Sequence, residues 1–217
     1  PPPPPPPPPP SFFFHADPAI PPFCLSRGLG DVYKRQDLML SDVVEVILKN
    51  PKIEKVFLVG DKQLSPKSGT FIIQEKFNNG YNEAISFALR DKRIANSDAI
   101  VILPGDIPLI TTEEIENFIN DAPKNGIRIA PDRDREGTNA LLLAPPTLIK
   151  TQFGKLSYSR HLELAEKCCS NVEVIDSDGL AFDIDSPEDL KDFCGTASST
   201  KSYEFLKRNG IAASLLG

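Results

Sequence analysis

A disulfide framework, a membrane span and a basic face are all missing from this 217-residue chain. Of the four cysteines, Cys24 falls in an unusual N-terminal stretch, and Cys168, Cys169 and Cys194 make an odd set with two adjacent members. Paired bridges do not arise from that arithmetic, so free thiols in a reducing cytoplasm are expected. No apolar run approaches the roughly 20 residues that a bilayer-spanning helix needs, and a soluble protein is expected. Lys and Arg number 24 against 30 Asp and Glu, a net charge of −6 without a basic stripe. That balance argues against nucleic acid as a partner.

The stretch before Asp37 reads as foreign to the fold. Residues 1–10 are all proline, and residues 26–36 read Ser-Arg-Gly-Leu-Gly-Asp-Val-Tyr-Lys-Arg-Gln, the one-frame translation of a sequence resembling a transposase-type sequencing adapter. A Pro-rich linker or polyproline-II ligand is the bland alternative. Residues 1–36 are therefore set aside like a fusion scar and expected to pack against nothing and to be disordered, Phe12, Phe13 and Phe14 included. About 180 residues then remain, enough for one domain with a sizeable core. Arg27, Lys34 and Arg35 against Asp17 and Asp31 give the excluded segment +1, so the remainder carries −7.

From Asp37 onward, helix and strand patterns alternate. Leu40, Val43, Val44, Ile47 and Leu48 recur at helical spacing, and Asn50-Pro51 stops that helix. Residues 55–59 and 71–73 read as short strands, and residues 82–89 as a helix after the Asn-Asn-Gly turn at 78–80. Residues 99–103 form an unbroken apolar run, the mark of a central strand covered on both faces. Thr111 or Thr112 caps a helix with Glu113 and Glu114 in its first turn. Further strands fall at 127–130, 140–143 and 172–175, with a helix over 158–168. Ser186-Pro187-Glu188-Asp189 spells an N-cap, a proline at the first helical position and early acids. Residues 195–217 form a weaker helix. The pattern predicts an α/β fold: a mostly parallel, Rossmann-like sheet with helices on both faces and ligands at strand C-termini.

Three segments could carry chemistry. Asp106 follows the central strand, with Pro104 and Pro108 holding the chain extended around it; it suits a hard cation, or simply caps the next helix. Asp183 and Asp185 alternate across Ile184, so an extended backbone points both carboxylates one way and Ile184 into the core. Two like charges on one side want a cation, although Asp185 or Ser186 could serve only as a cap. Residues 131–146 lead through Gly137-Thr138-Asn139 into an apolar strand, and Thr138 and Asn139 can offer donors to carboxylate or phosphate oxygens. Residues 153–158 precede a helix, so Ser157 is a candidate N-cap and the helix start an anion site. His161 is read as a partly buried residue that orients this loop rather than as a catalyst. Gly80-Tyr81-Asn82 begins another helix and could approach a nucleotide. The Phe-Asp-Ile-Asp-Ser segment also fits a dehalogenase-type phosphatase nucleophile, but only 32 residues follow Asp185, too few for that fold.

Together the segments resemble the 2-phospho-L-lactate guanylyltransferase family of coenzyme F-420 biosynthesis, with its phosphoenolpyruvate-using relatives. The family pattern runs Gly-x-Asn, (Gly/Ala)-Asp-(Ile/Leu)-Pro-Leu, Pro-Asp…Gly-Thr-Asn-Ala-Leu, Phe-Gly-x-x-Ser-(Phe/Tyr)-x-x-His and Asp-(Ile/Val)-Asp-x-Pro-(Glu/Asp)-Asp-Leu. All five occur here in order, over about residues 38–193. The resemblance implies a three-layer nucleotidyltransferase sheet, GTP and a small phosphorylated hydroxy- or enol-acid as substrates, and no membrane partner; it leaves a homodimer open. By that likeness Asp106, Asp183 and Asp185 would be catalytic Mg²⁺ ligands. Thr138, Asn139, Gly154 and Ser157 would hold the phospho-acid, and Gly80, Asn82 and Pro104 the nucleotide. Lys155 and Leu156 depart from the family's Pro-Gly. The family also opens with a strand and a Pro-x-Lys…Lys-(Ser/Thr)-Arg-Leu triphosphate loop, so residues 37–217 are expected to lack both and the chain to be inactive. The rival readings are a nucleotidyltransferase for a pterin or sugar phosphate and a GTP-binding relative without turnover.

Overall fold

A computed structural model of the chain describes residues 11–15, 28–60, 67–75, 80–168, 171–196 and 198–216. Strand β1 (Ser11–His15) is followed by helix α1 (Gly28–Leu48), β2 (Lys55–Gly60), β3 (Thr70–Gln74), α2 (Tyr81–Ala88) and α3 (Lys92–Ala95). Next come β4 (Ile100–Pro104), α4 (Thr112–Ile119), β5 (Gly126–Pro131), β6 (Thr138–Ala144) and α5 (Ser157–Cys168). The chain closes with β7 (Asn171–Val174), α6 (Asp178–Ala181), α7 (Pro187–Gly195), α8 (Lys201–Arg208) and α9 (Ile211–Leu216).

The strands form one sheet in the order β3-β2-β1-β4-β6-β5-β7. Pairings are parallel except those of β6, which runs antiparallel to both β4 and β5. A strand buried on both faces should divide its residues between two cores, and β4 does. Val101 and Leu103 join the cluster under α1 and α4 with Val43, Ile47 and Phe118. Ile100 and Ile102 join the opposite cluster with Ala84, Ile85 and Ala165 from α2 and α5. The sheet is thus the middle of three layers. A third cluster sets Met39 of α1 and Ile184 against Leu190, Phe193 and Leu206.

The expectation that residues 1–36 lie outside the fold is corrected. Strand β1 lies inside the sheet, third of seven, parallel to β2 on one side and β4 on the other, with Phe13 opposite Phe57 and Ile102. The physical reason is positional: without a strand between them β2 and β4 would each present an unpaired edge, and an aromatic run has the strand propensity to fill that slot. Helix α1 likewise begins at Gly28, nine residues before Asp37, and Arg35 within it is buried. The fold therefore has its first strand. The calls on residues 1–10 and 16–27, and on Cys169, lie outside the described residues.

Local signals match the caps. Thr111 accepts from Glu114 N while Glu114 accepts from Thr111 N, a complete capping box; Ser186 and Asp189 make the same box at α7, with Pro187 at its first turn. The expected C-terminal helix is two, broken at Asn209-Gly210. Its anchor comes from α1: the buried Asp42 carboxylate accepts from Lys201 N at 2.8 Å, Ser202 N at 2.9 Å and Ser202 Oγ at 2.6 Å. Cys168 is exposed and Cys194 buried, both free thiols. Among the described residues no helix is long and apolar enough to cross a membrane.

Candidate active site

The carboxyl end of β4 turns through Gly105 and Asp106 toward the buried Ile107. A single backbone bond joins this turn to the second acidic segment, Ile184 N donating to Asp106 O at 3.1 Å. Ile184 is buried in the third cluster, so Asp183 and Asp185 flank it on the side away from that core, as the alternation requires. The segment is held from behind, where Asp189 Oδ2 accepts from Asp185 N at 3.2 Å and from Ser186 N at 2.7 Å. Asp106 is thus a backbone neighbour of the Asp183–Asp185 pair although 77 positions (183 − 106) separate it from the nearer of them.

The electrostatics of this corner are those of crowded negative charge. Burial, then the neighbouring Asp185, push the Asp183 carboxyl from 3.8 up to about 6; the Asn139 amide nearby opposes the rise and Asp132 adds to it. Crowded hard oxygens are the donor chemistry that Mg²⁺ takes, and in that respect the residues fit. Among the described residues, however, no group of three or more His, Cys, Asp or Glu side chains is placed to hold a metal ion. Asn139, expected on the phospho-acid, is buried beside Asp183, and its Nδ2 has no hydrogen-bond partner among the described residues.

The loop between β5 and β6 closes on Asp132, whose Oδ1 accepts from Glu136 N at 2.9 Å and Oδ2 from Gly137 N at 2.6 Å. A Cβ at residue 137 would collide with that carboxylate, so the glycine is required by close approach. The Gly137 N–H is thereby occupied, and the donors left at this turn belong to the residues after it. Arg133 stacks over the Phe182 ring at 4.5 Å and pairs with Asp189 and Asp192, tying this loop to the acidic segment. Sequence reasoning missed Asp132 and Arg133; the Pro-Asp at the head of the Gly-Thr-Asn block was the available signal for the first.

On the other side stands the loop before α5. Gly154 has φ +109°, outside the reach of most L side chains, and Leu156 is held at φ +58° with 45% of its surface exposed. Ser157 is buried and is the first residue of α5 rather than its cap, one position inside the expected boundary. His161 is fully buried: Nε2 accepts from Gln152 N at 2.9 Å and Nδ1 lies 3.0 Å from Thr138 Oγ1. Burial, with Arg160 nearby, lowers its pKa from 6.5 to about 4, so the ring is neutral at pH 7. The orienting role expected of His161 agrees with these contacts. Asn82, expected on the nucleotide, clamps the same loop, donating to Phe153 O at 2.9 Å and accepting from Phe153 N at 2.8 Å. Gly80 is the exposed N-cap of α2 at φ +90°, and no side chain caps that helix. Pro104 ends β4 beside the Asp106 turn.

Carboxylates at the end of a central strand, facing a glycine loop and a helix N-terminus across a three-layer sheet, make up the architecture of a nucleotidyltransferase. Solved structures agree on the fold. A nucleotidyl transferase from Methanothermobacter thermautotroptrophicus superposes with TM-score 0.61 at 14% identity, over 92% of this chain and 98% of that one. A Mycobacterium tuberculosis protein solved in complex with manganese gives TM-score 0.57 at 16% identity, over 86% and 97%.

Sequence narrows the class. The family described as "Guanylyl transferase CofC like" matches residues 25–215, and the chain belongs to it. That match begins inside the segment first read as foreign. A phosphoenolpyruvate guanylyltransferase of Sphaerobacter thermophilus is 37% identical over 118 residues, 54% of this chain and 57% of the relative. A 2-phospho-L-lactate guanylyltransferase of Methanocaldococcus vulcanius is 32% identical over 178 residues, 80% of this chain and 77% of the relative. The chain thus spans little more than half of the first relative's length and about three quarters of the second's.

Proposed function

We propose that the protein joins the guanylyl group of GTP to a small phospho-acid, 2-phospho-L-lactate or phosphoenolpyruvate, with release of pyrophosphate, in coenzyme F-420 biosynthesis. The observation that carries this reading is the Ile184–Asp106 backbone bond, which sets an acid pair beside the strand-end acid, while the separate loop before α5 offers Gly154, Lys155 and Ser157. Two sites of opposite character suit two substrates. The polyphosphate needs cationic help at the acids, and the small anion needs hydrogen-bond donors at the loop.

In this reading Asp106, Asp183 and Asp185 hold Mg²⁺, which when bound neutralises charge developing on the leaving pyrophosphate. Thr138, Gly154 and Ser157 receive the phospho-acid and orient its phosphate oxygen for in-line attack on the α-phosphorus. Asn139, buried with an unpartnered Nδ2, joins them as a donor to the phospho-acid. Gly80, Asn82 and Pro104 contact the nucleotide, and Asn82 also clamps the neighbouring loop at Phe153. No group here acts as a general base, because a phosphate nucleophile is already ionised.

The triphosphate loop belongs between β1 and α1, where residues 16–27 contain one basic residue, Arg27. The chain is therefore expected to bind its phospho-acid but to turn over poorly. The test is pyrophosphate release from GTP and Mg²⁺ with each phospho-acid in parallel, for this chain and for a variant carrying a family-type Lys/Arg loop at residues 16–27. Turnover only with the restored loop supports the proposal. Equal turnover by both proteins would remove the role given to that loop, and no turnover by either with any phospho-acid would remove the reaction.

A further inference from the structure

The neutral His161 ring has only one hydrogen to place, and the backbone decides where. Gln152 N can only donate, so Nε2, 2.9 Å away, accepts and carries no hydrogen. The hydrogen therefore sits on Nδ1 and points at Thr138 Oγ1, 3.0 Å away. The ring cannot turn over to exchange these roles. Phe153 packs edge-on against it at 4.9 Å, and Phe153 is itself pinned at both backbone atoms by Asn82. Thr138 Oγ1 is thus obliged to accept, and its own hydrogen must go elsewhere. Thr138 is buried, stands opposite Pro131, which has no N–H, and makes no other side-chain hydrogen bond among the described residues. A buried hydroxyl hydrogen left without a protein acceptor is aimed at a ligand oxygen.

We propose that His161 is a positioning residue that locks the Thr138 hydroxyl as a donor to the anionic phospho-acid. The inference rests on the proposed placement of that substrate at Thr138. It makes His161 act through Thr138, distinct from its support of the loop at Gln152, and the two functions can be separated by substitution. In His161→Gln, the amide oxygen reaches the Nε2 position and keeps the Gln152 bond while the donor to Thr138 is lost. In His161→Asn, the amide nitrogen takes the Nδ1 position and keeps the donor while the Gln152 bond is lost.

The experiment is calorimetric titration of the whole chain with phosphoenolpyruvate, with 2-phospho-L-lactate and separately with GTP, in Mg²⁺. His161→Gln should weaken the preferred phospho-acid by roughly 2- to 10-fold, the value of one hydrogen bond, with GTP affinity unchanged; His161→Asn should restore it toward wild type. Combined with Thr138→Val, His161→Gln should add nothing further. A merely structural histidine would give the opposite order, or additive losses on both ligands, and would overturn the inference. Nitrogen-15 spectra of the unaltered protein provide a check that needs no variant to fold: the chain has two histidines, and His161 must show a protonated Nδ1 and a bare Nε2 at pH 7. The opposite tautomer, or an imidazolium, overturns the inference alone. If Thr138→Val leaves both phospho-acid affinities intact, or the unaltered chain binds neither acid, the substrate placement falls and the inference with it.

Discussion

Replacing Asp183 by asparagine should make the metal-free protein more stable at neutral pH, at the expense of its response to metal. The carboxyl is raised from 3.8 to about 6 by burial and by Asp185, with Asp132 adding to them. A carboxyl whose folded value lies above its unfolded one favours the native state only while protonated. That contribution is complete below pH 3.8 and is lost as pH rises through about 6. The shift corresponds to about 3 kcal/mol against the native state once Asp183 is ionised. Partial exposure at the site lowers the expected difference to about 1–3 kcal/mol. Asparagine is near in shape to the protonated acid, so the two proteins should melt together only below pH 3.8, where the acid is protonated in both states. By pH 7.5 in chelator the variant should melt higher, by about 2–4 °C for each kcal/mol in a chain of this size. Millimolar Mg²⁺ should then raise the melting temperature of the parent more than that of the variant, since only a ligand that binds the native state stabilises it. The assay is thermal unfolding of both proteins from about pH 3 to 8, with chelator and with Mg²⁺. A gap that is constant across pH, or a variant less stable at pH 7.5, would refute the argument that crowded charge at Asp183 opposes folding.

Three further outcomes are expected. Asp42→Ala removes the acceptor of three hydrogen bonds from the start of α8 and should cost about 2–4 kcal/mol in urea unfolding; a loss below about 0.5 kcal/mol would mean that water replaces the carboxylate. Arg35 is buried with Nε lacking a hydrogen-bond partner, and burial pushes its guanidinium below its ordinary pKa. Arg35→Met should therefore raise stability by about 1 kcal/mol, and a lower melting temperature would show that the guanidinium is satisfied. Asp106→Asn, in the protein with a complete triphosphate loop, should abolish pyrophosphate release, because an amide lacks the charge a Mg²⁺ ligand brings; activity within a few-fold of the parent would leave Asp106 a turn residue.

What the sequence determined by itself was local. The apolar run of β4, the Thr111 and Ser186 caps and the alternation of Asp183 and Asp185 about Ile184 are set by neighbours within four positions, the range over which periodicity and capping act. The family motifs added order along the chain. Tertiary structure decided what those signals could not reach. Composition set the Phe-Phe-Phe run aside, yet β1 lies inside the sheet, because a strand's worth depends on the edges waiting for it, here β2 and β4. The direction of β6 was equally hidden, since an all-buried strand shows no alternation from which to read its partners. The polar groups of the site were redistributed for the same reason. Asn82 bonds Phe153 across 71 positions, and His161 meets Thr138 across 23. A side chain's type announces that it can donate or accept, but which atom it meets is settled only when distant segments are packed, because each buried polar group must find a partner in whatever the fold brings beside it.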